Sequence, residues 1–164
     1  MNRLWAPWRM AYVGASSPTA GSPPGCVFCH ALGGSDDATS LVLVRRPLAF
    51  LILNAYPYTP AHLMAVINRH VGALQDARPE EMAEAMRLVS VATTALTEEY
   101  RAEGFNIGLN QGRAAGAGIE GHLHVHVVPR WNGDHNFVSV LGDVRVLPES
   151  LAATYARLRP RLTT

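Results

Sequence analysis

The sequence predicts an α+β fold, a mainly antiparallel five-stranded sheet with one long helix and a C-terminal helix. Three observations predict it. Apolar or β-branched runs of strand length recur at 41–45, 49–54, 62–68, 105–110 and 122–128. Between the third and fourth runs the apolar period lengthens, with Met82, Met86, Val89, Ala92, Thr93 and Leu96 spaced by three or four, which predicts a single amphipathic helix over 79–103. A second helical pattern, 148–162, closes the chain and is expected to end at Pro160.

Taken in order, residues 1–14 carry Trp5, Pro7, Trp8, Arg9, Met10 and Tyr12, too aromatic for a solvated tail, so this segment is expected to pack or to form part of a partner surface. Residues 15–25 and 33–40 are rich in Ser, Gly, Pro, Ala and Asp and read as loops, with Cys26-Val27-Phe28-Cys29 between them in a short helix. Arg46-Pro47-Leu48 reads as a turn joining two antiparallel strands, and Tyr56-Pro57-Tyr58-Thr59-Pro60 separates the second strand from the third. Pro79-Glu80-Glu81 starts the long helix and Gly104 follows it. Residues 111–121 form a loop containing Gly112, Gly116, Gly118 and Gly121; Trp131-Asn132-Gly133-Asp134 makes a turn, and 137–141 extends as an edge segment.

At 164 residues the chain fits one domain with a real core, and no internal repeat is evident. A net charge of +1 with 16% charged residues argues against a broad footprint for nucleic acid or an anionic membrane, so a phosphate-bearing ligand would have to be held locally. No apolar run reaches bilayer length and the N-terminus lacks a secretory layout, which predicts a cytoplasmic protein. There, the only two cysteines, Cys26 and Cys29, at C-x-x-C spacing, point to a metal or redox role before a structural disulfide.

The chemistry centres on Gly121-His122-Leu123-His124-Val125-His126-Val127-Val128-Pro129. In an extended strand His122, His124 and His126 share one face, and Leu123, Val125 and Val127 the other. Three crowded imidazoles need partners if buried, so this is a poor structural strand and a good reactive one. Neutral imidazole is a nucleophile near pH 7, and attack on phosphorus through Nε2 requires Nδ1 to keep its proton. His124, in the middle, has help available on both sides, from His122 and His126. The upstream glycines let backbone N–H groups approach a phosphate. A metal-only triad is the alternative, and it leaves the glycine-rich loop without a purpose.

His122-Leu123-His124-Val125-His126-Val127-Val128 resembles the signature of the histidine triad (HIT) family of nucleotide hydrolases and transferases, His-φ-His-φ-His-φ-φ with φ apolar, and the match is complete. Phe50-Leu51-Ile52-Leu53-Asn54, Pro60-Ala61-His62-Leu63-Met64 and Gly104-Phe105-Asn106-Ile107-Gly108-Leu109-Asn110 resemble its preceding blocks, so a HIT-like core covers about 26–135, between an aromatic extension at 1–25 and a helical one at 136–164. Arg3-Leu4-Trp5-Ala6-Pro7-Trp8-Arg9-Met10 and Leu53-Asn54-Ala55-Tyr56-Pro57-Tyr58 look most like the bacterial diadenosine tetraphosphate phosphorylase branch.

The resemblance implies a nucleotidyl transferase or hydrolase that cleaves a phosphoanhydride bond of an adenine nucleotide, a dinucleoside polyphosphate first among them, with water or inorganic phosphate as acceptor. His124 matches the nucleophile that forms a nucleotidyl-histidine, His126 matches the residue that contacts phosphate and leaving group, and the His122 carbonyl is the expected Nδ1 partner of His124. Asn54 falls where the ribose hydroxyls are held, Val27, Phe28 and Leu53 where apolar side chains line a purine pocket, Asn110 and Gln111 at phosphate-contacting positions, and His62 at a histidine close to the site. For Val27 and Phe28 core packing is an equal reading, and for Asn54 a turn residue is the other one. The chain departs from the family at Ala117-Gly118, where hydrolases carry Gln and the phosphorylase branch a Ser after Gly. Backbone N–H groups are left to serve there, and the acceptor stays open. Rival readings are a purine nucleoside phosphoramidase and a non-catalytic, zinc-stabilised nucleotide-binding scaffold. The family commonly forms homodimers. Members with this C-x-x-C bind structural zinc through the cysteines, the first triad histidine and a histidine eight residues after the His62 position, which implies Cys26, Cys29, His70 and His122 here, and no organic cofactor. Two reduced, metal-free cysteines are the other reading of that pair.

Overall fold

In the computed structural model, residues 25–134 and 149–162 are described. The readings of 1–14, most of 15–25 and the edge segment 137–141 lie outside them. The order is α1 (Val27–Gly33), β1 (Val42–Arg45), β2 (Ala49–Leu53), β3 (Leu63–Ile67), α2 (Pro79–Tyr100), β4 (Gly104–Gly108), β5 (His124–Arg130) and α3 (Leu151–Leu162). The five strands form one sheet in the order β1-β2-β3-β5-β4, every pair antiparallel. The described residues form one α+β domain, the class that the periodicities predict.

Alternation along the strands divides the core between the two sheet faces. Leu51, Leu53, Leu63, Ala65, Ile67, Leu123, Val125 and Val127 pack with Ala85, Leu88, Val89, Ala92 and Leu96 of α2 and with Leu158 and Leu162 of α3. On the other face Phe50, Ile52, Met64 and Val66 pack with Phe28 and Ala31 of α1. Register puts His124 opposite Val66 and His126 opposite Met64, so these two imidazoles stand on the α1 side. The sheet backs onto α2 and shows its histidines to the opposite side.

Several boundaries differ from the expected ones for local reasons. The long helix ends at Tyr100 because Arg101 adopts the left-handed conformation (φ 51°, ψ 41°) and turns the chain into β4. The C-terminal helix starts at Leu151, where Ser150 Oγ accepts the Ala153 N–H, and it runs past Pro160 to Leu162, whose side chain is buried. Pro160 forgoes the bond that an N–H there would make to the Ala156 carbonyl, and burial of Leu162 offsets that loss. Pro129 is tolerated within β5 because β3 pairs only as far as Val127, leaving that side of the strand without a partner to donate to.

Candidate active site and metal centre

His122 is not part of the strand: β5 begins at His124. His122 sits in the approach, where the Leu123 N–H donates to the Val71 carbonyl (2.7 Å) instead of joining the ladder. The expected single face of three imidazoles is therefore split. His122 and His124 are buried and His126 is partly buried; His124 and His126 adjoin each other (4.9 Å between centroids), whereas His122 turns toward the cysteines.

Each ring's neighbours dictate its tautomer, because a carbonyl only accepts and an amide only donates. His124 Nδ1 is 2.7 Å from the His122 carbonyl, so Nδ1 carries the proton and Nε2 presents a lone pair. Burial lowers the His124 pKa, which keeps that lone pair available. His62 Nδ1 faces the Tyr58 backbone N–H at 3.2 Å and must accept, so its proton lies on Nε2. That Nε2 stands 3.0 Å from His126 Nδ1 and donates to it, leaving His126 with an Nε2–H. Burial, and secondarily the neighbouring His124, push the His126 pKa down to about 4. The two adjacent rings thus end in opposite states, one with a bare Nε2 and one with an Nε2–H donor. Tyr58 supports the arrangement from its side, its ring 4.6 Å from that of His62 and stacked 5.9 Å from that of His126.

His122 follows the same logic. Its Nε2 donates to the Ile67 carbonyl (2.7 Å), so Nδ1 is the lone-pair nitrogen, and it points at Cys26 Sγ (3.2 Å) and Cys29 Sγ (3.6 Å). His70 Nδ1 lies 3.3 Å from Cys29 Sγ. One donor atom from each of Cys26, Cys29, His70 and His122 falls within 4.8 Å of the others. Two thiols and two imidazoles so close, with an imidazole lone pair fixed inward, suit a tetrahedral Cys₂His₂ ion such as zinc. The Cys29 pKa is raised by burial and then by Cys26; a cation between the sulfurs would relieve that conflict.

The apolar residues around the histidines are distributed differently from expectation. Phe28 is almost fully buried, with its ring 5.0 Å from His124, 5.4 Å from His122 and 6.4 Å from Phe50; it forms the floor under the histidines. Alternation along β2 places Leu53 in the core beneath α2, and Ile52 is the β2 residue on the histidine side. Val27, in the first turn of α1, is half exposed. Asn54 ties its Nδ2 to His62 Nδ1 (3.2 Å) and accepts the Tyr56 N–H (2.9 Å), so it is at once a turn residue and a neighbour of the relay. Asn110, Ala117 and Gly118 lie along the glycine-rich stretch, Ala117 buried and Gly118 exposed, without a hydrogen bond to the imidazoles among the described residues. Gln111 points away to Leu74. Sequence reasoning missed Tyr58 and Ile52: β2 is apolar on both faces, so which residues face the histidines is set by the pairing register, and the Tyr58 N–H that fixes the His62 tautomer is a backbone group that leaves no signal.

A model of the HIT domain matches residues 35–133. The chain belongs to the histidine triad family. Among relatives of this HIT protein, an AP-4-A phosphorylase of Mycobacterium tuberculosis is 40% identical over 158 residues, covering 94% of this chain and 80% of that protein. An asymmetrical bis(5'-nucleosyl)-tetraphosphatase of Schizosaccharomyces pombe is 30% identical over 95 residues, 58% of this chain and 52% of that one. A zinc-bound histidine triad family protein of Mycobacterium smegmatis superposes with a TM-score of 0.69 at 31% identity, covering 84% of this chain and 93% of the other.

Proposed function

We propose that this HIT protein cleaves a phosphoanhydride bond of a dinucleoside polyphosphate, diadenosine tetraphosphate first among them, through a nucleotidyl-histidine on His124. The observation that carries this reading is the opposed tautomers of His124 and His126. His124 Nε2 attacks the α-phosphorus, and the bond from that phosphorus to the bridging oxygen breaks. The positive charge developing on the imidazole is shared through Nδ1–H with the His122 carbonyl, 2.7 Å away. His126 Nε2–H hydrogen-bonds the departing oxygen; a nucleoside polyphosphate leaves as a stable anion and needs no full proton transfer. In the second step water or inorganic phosphate attacks the nucleotidyl-His124 and restores the free imidazole. The phosphorylase relative favours phosphate as the acceptor.

Cys26, Cys29, His70 and His122 would hold a zinc ion, which would pin the residue whose carbonyl orients the nucleophile, and such a thiolate site would suit a reducing compartment. The zinc-bound relative supports the same reading. Among the described residues no helix is long and apolar enough to cross a membrane. A homodimer built on β4 fits the edge position of that strand and its half-exposed Ile107. Incubation with diadenosine tetraphosphate, with and without inorganic phosphate, tests the reaction. ADP plus ATP only when phosphate is present is the expected result; AMP plus ATP makes water the acceptor, and faster cleavage of adenosine phosphoramidate overturns the substrate class.

A further inference from the structure

Gln111 opens the glycine-rich loop, yet its side chain is engaged elsewhere. Its Oε1 accepts the Leu74 backbone N–H at 2.7 Å and its Nε2 approaches Gln75 Oε1 at 3.3 Å. Because a backbone N–H can only donate, the atom that meets Leu74 must be the amide oxygen. Leu74 begins a 3₁₀ turn, Leu74–Asp76, within a strap of chain at 69–76 that is anchored independently. Arg69 grips the buried Glu81 of α2 through Nε (2.9 Å) and Nη2 (2.8 Å) and also reaches the Asp76 carbonyl. The next residue, His70, enters the Cys₂His₂ cluster, and the Val71 carbonyl accepts the Leu123 N–H. Gly72 lies so close to the far end of the loop that a Cβ there would run into the Glu120 carbonyl. The strap therefore meets the loop at both ends, by backbone contact at Glu120 and by the Gln111 side chain at the start.

We infer that Gln111 is a positioning residue, which ties the start of the glycine-rich loop through Leu74 to the strap carrying His70 and so keeps the loop's backbone N–H groups set for phosphate. This rests on the nucleotide reading above for its consequence, though not for its geometry. The role requires an acceptor, whereas a phosphate ligand at the same position requires a donor.

The full chain with Gln111→Ala and with Gln111→Glu separates the two. Glutamate keeps the acceptor for Leu74; alanine removes it. The first readout needs neither ligand nor turnover, being the rate of tryptic cleavage after the exposed Arg113, identified by the mass of the fragment ending there. Loss of one such hydrogen bond is expected to speed cleavage about three- to tenfold in Gln111→Ala and to leave Gln111→Glu near wild type. The second readout is AMP binding, expected to weaken several-fold in Gln111→Ala and to stay close to wild type in Gln111→Glu. Wild-type cleavage in Gln111→Ala, or weaker AMP binding by Gln111→Glu than by Gln111→Ala, overturns the inference, the latter because a carboxylate repels phosphate where a lost amide donor merely fails to hold it. If wild-type protein binds no AMP and cleaves no diadenosine tetraphosphate, the nucleotide reading fails while the tryptic comparison still judges the strap.

Discussion

At the scale of single residues, a chain of groups that can act in only one sense sorts the histidines. The Tyr58 amide must donate, so His62 Nδ1 accepts, His62 Nε2 donates and His126 is left with a proton on Nε2. The His122 carbonyl must accept, so His124 keeps Nδ1–H and a free Nε2. His124→Ala is expected to abolish diadenosine tetraphosphate turnover while leaving nucleotide binding largely intact; turnover within about tenfold of wild type would remove His124 as nucleophile. His62→Phe keeps a ring of similar size but orients nothing, and should lower kcat by about ten- to a hundredfold with little change in AMP affinity, the scale of losing a group that orients a functional imidazole. The triad spacing was legible because a period of two is a local property of the chain. The His62–His126 contact was not, since it joins residues 64 apart and depends on a backbone amide.

At the scale of elements, what matters is where each begins and which way it faces. β5 starting at His124 frees His122 to turn toward Cys26 and Cys29, and the alternation of β2 sends Leu53 under α2 and Ile52 to the histidine side. Residue order along each strand was readable; the phase of the alternation needed the pairing register. The start of α2 is secured by Glu81, which accepts the Arg78 N–H (2.8 Å) and holds Arg69 in a bidentate pair. Because Glu81 is 3% exposed and Arg69 lies nearer the solvent, Glu81→Ala should cost roughly 1–3 kcal/mol, read as a lower denaturant midpoint with an unchanged m-value. A stability equal to wild type would mean that the pair contributes nothing to anchoring the strap.

At the scale of the whole molecule, pH and metal act on one folded unit. His126, held at about 4 against an ordinary 6.5, is neutral in the folded chain and charged in the unfolded one between those values. Unfolded chains bind more protons in that window, so stability is full above about 6.5 and falls as the pH drops toward 4. Glu81, lowered from 4.5 to about 2 chiefly by its hydrogen bonds from Arg69, contributes stability that is lost only below 4.5. His126→Asn should therefore flatten the upper part of the acid limb and leave the lower part in place, which unfolding midpoints at graded pH would register. Stripping metal with a chelator should lower the thermal midpoint by several degrees in wild type and change little in a Cys26→Ser, Cys29→Ser protein. The α+β class and its five antiparallel strands were legible in the periods of the sequence. The division of the histidine motif between a candidate metal site and a candidate reaction centre was legible only through the family resemblance, because the period of two alone puts all three imidazoles on one face and the groups that draw them apart, Cys26, Cys29, His62 and His70, are distant in the chain.

The central claim is that His124 becomes covalently nucleotidylated. The most direct measurement is rapid mixing with diadenosine tetraphosphate in the absence of phosphate, quenching in alkaline denaturant, where a phosphorus–nitrogen bond to imidazole survives, and mapping the modified peptide by mass. An adenylyl group on His124, formed fast enough to account for turnover, is the predicted result. Steady turnover with His124 unmodified, or with the adenylyl group on another residue, would contradict it.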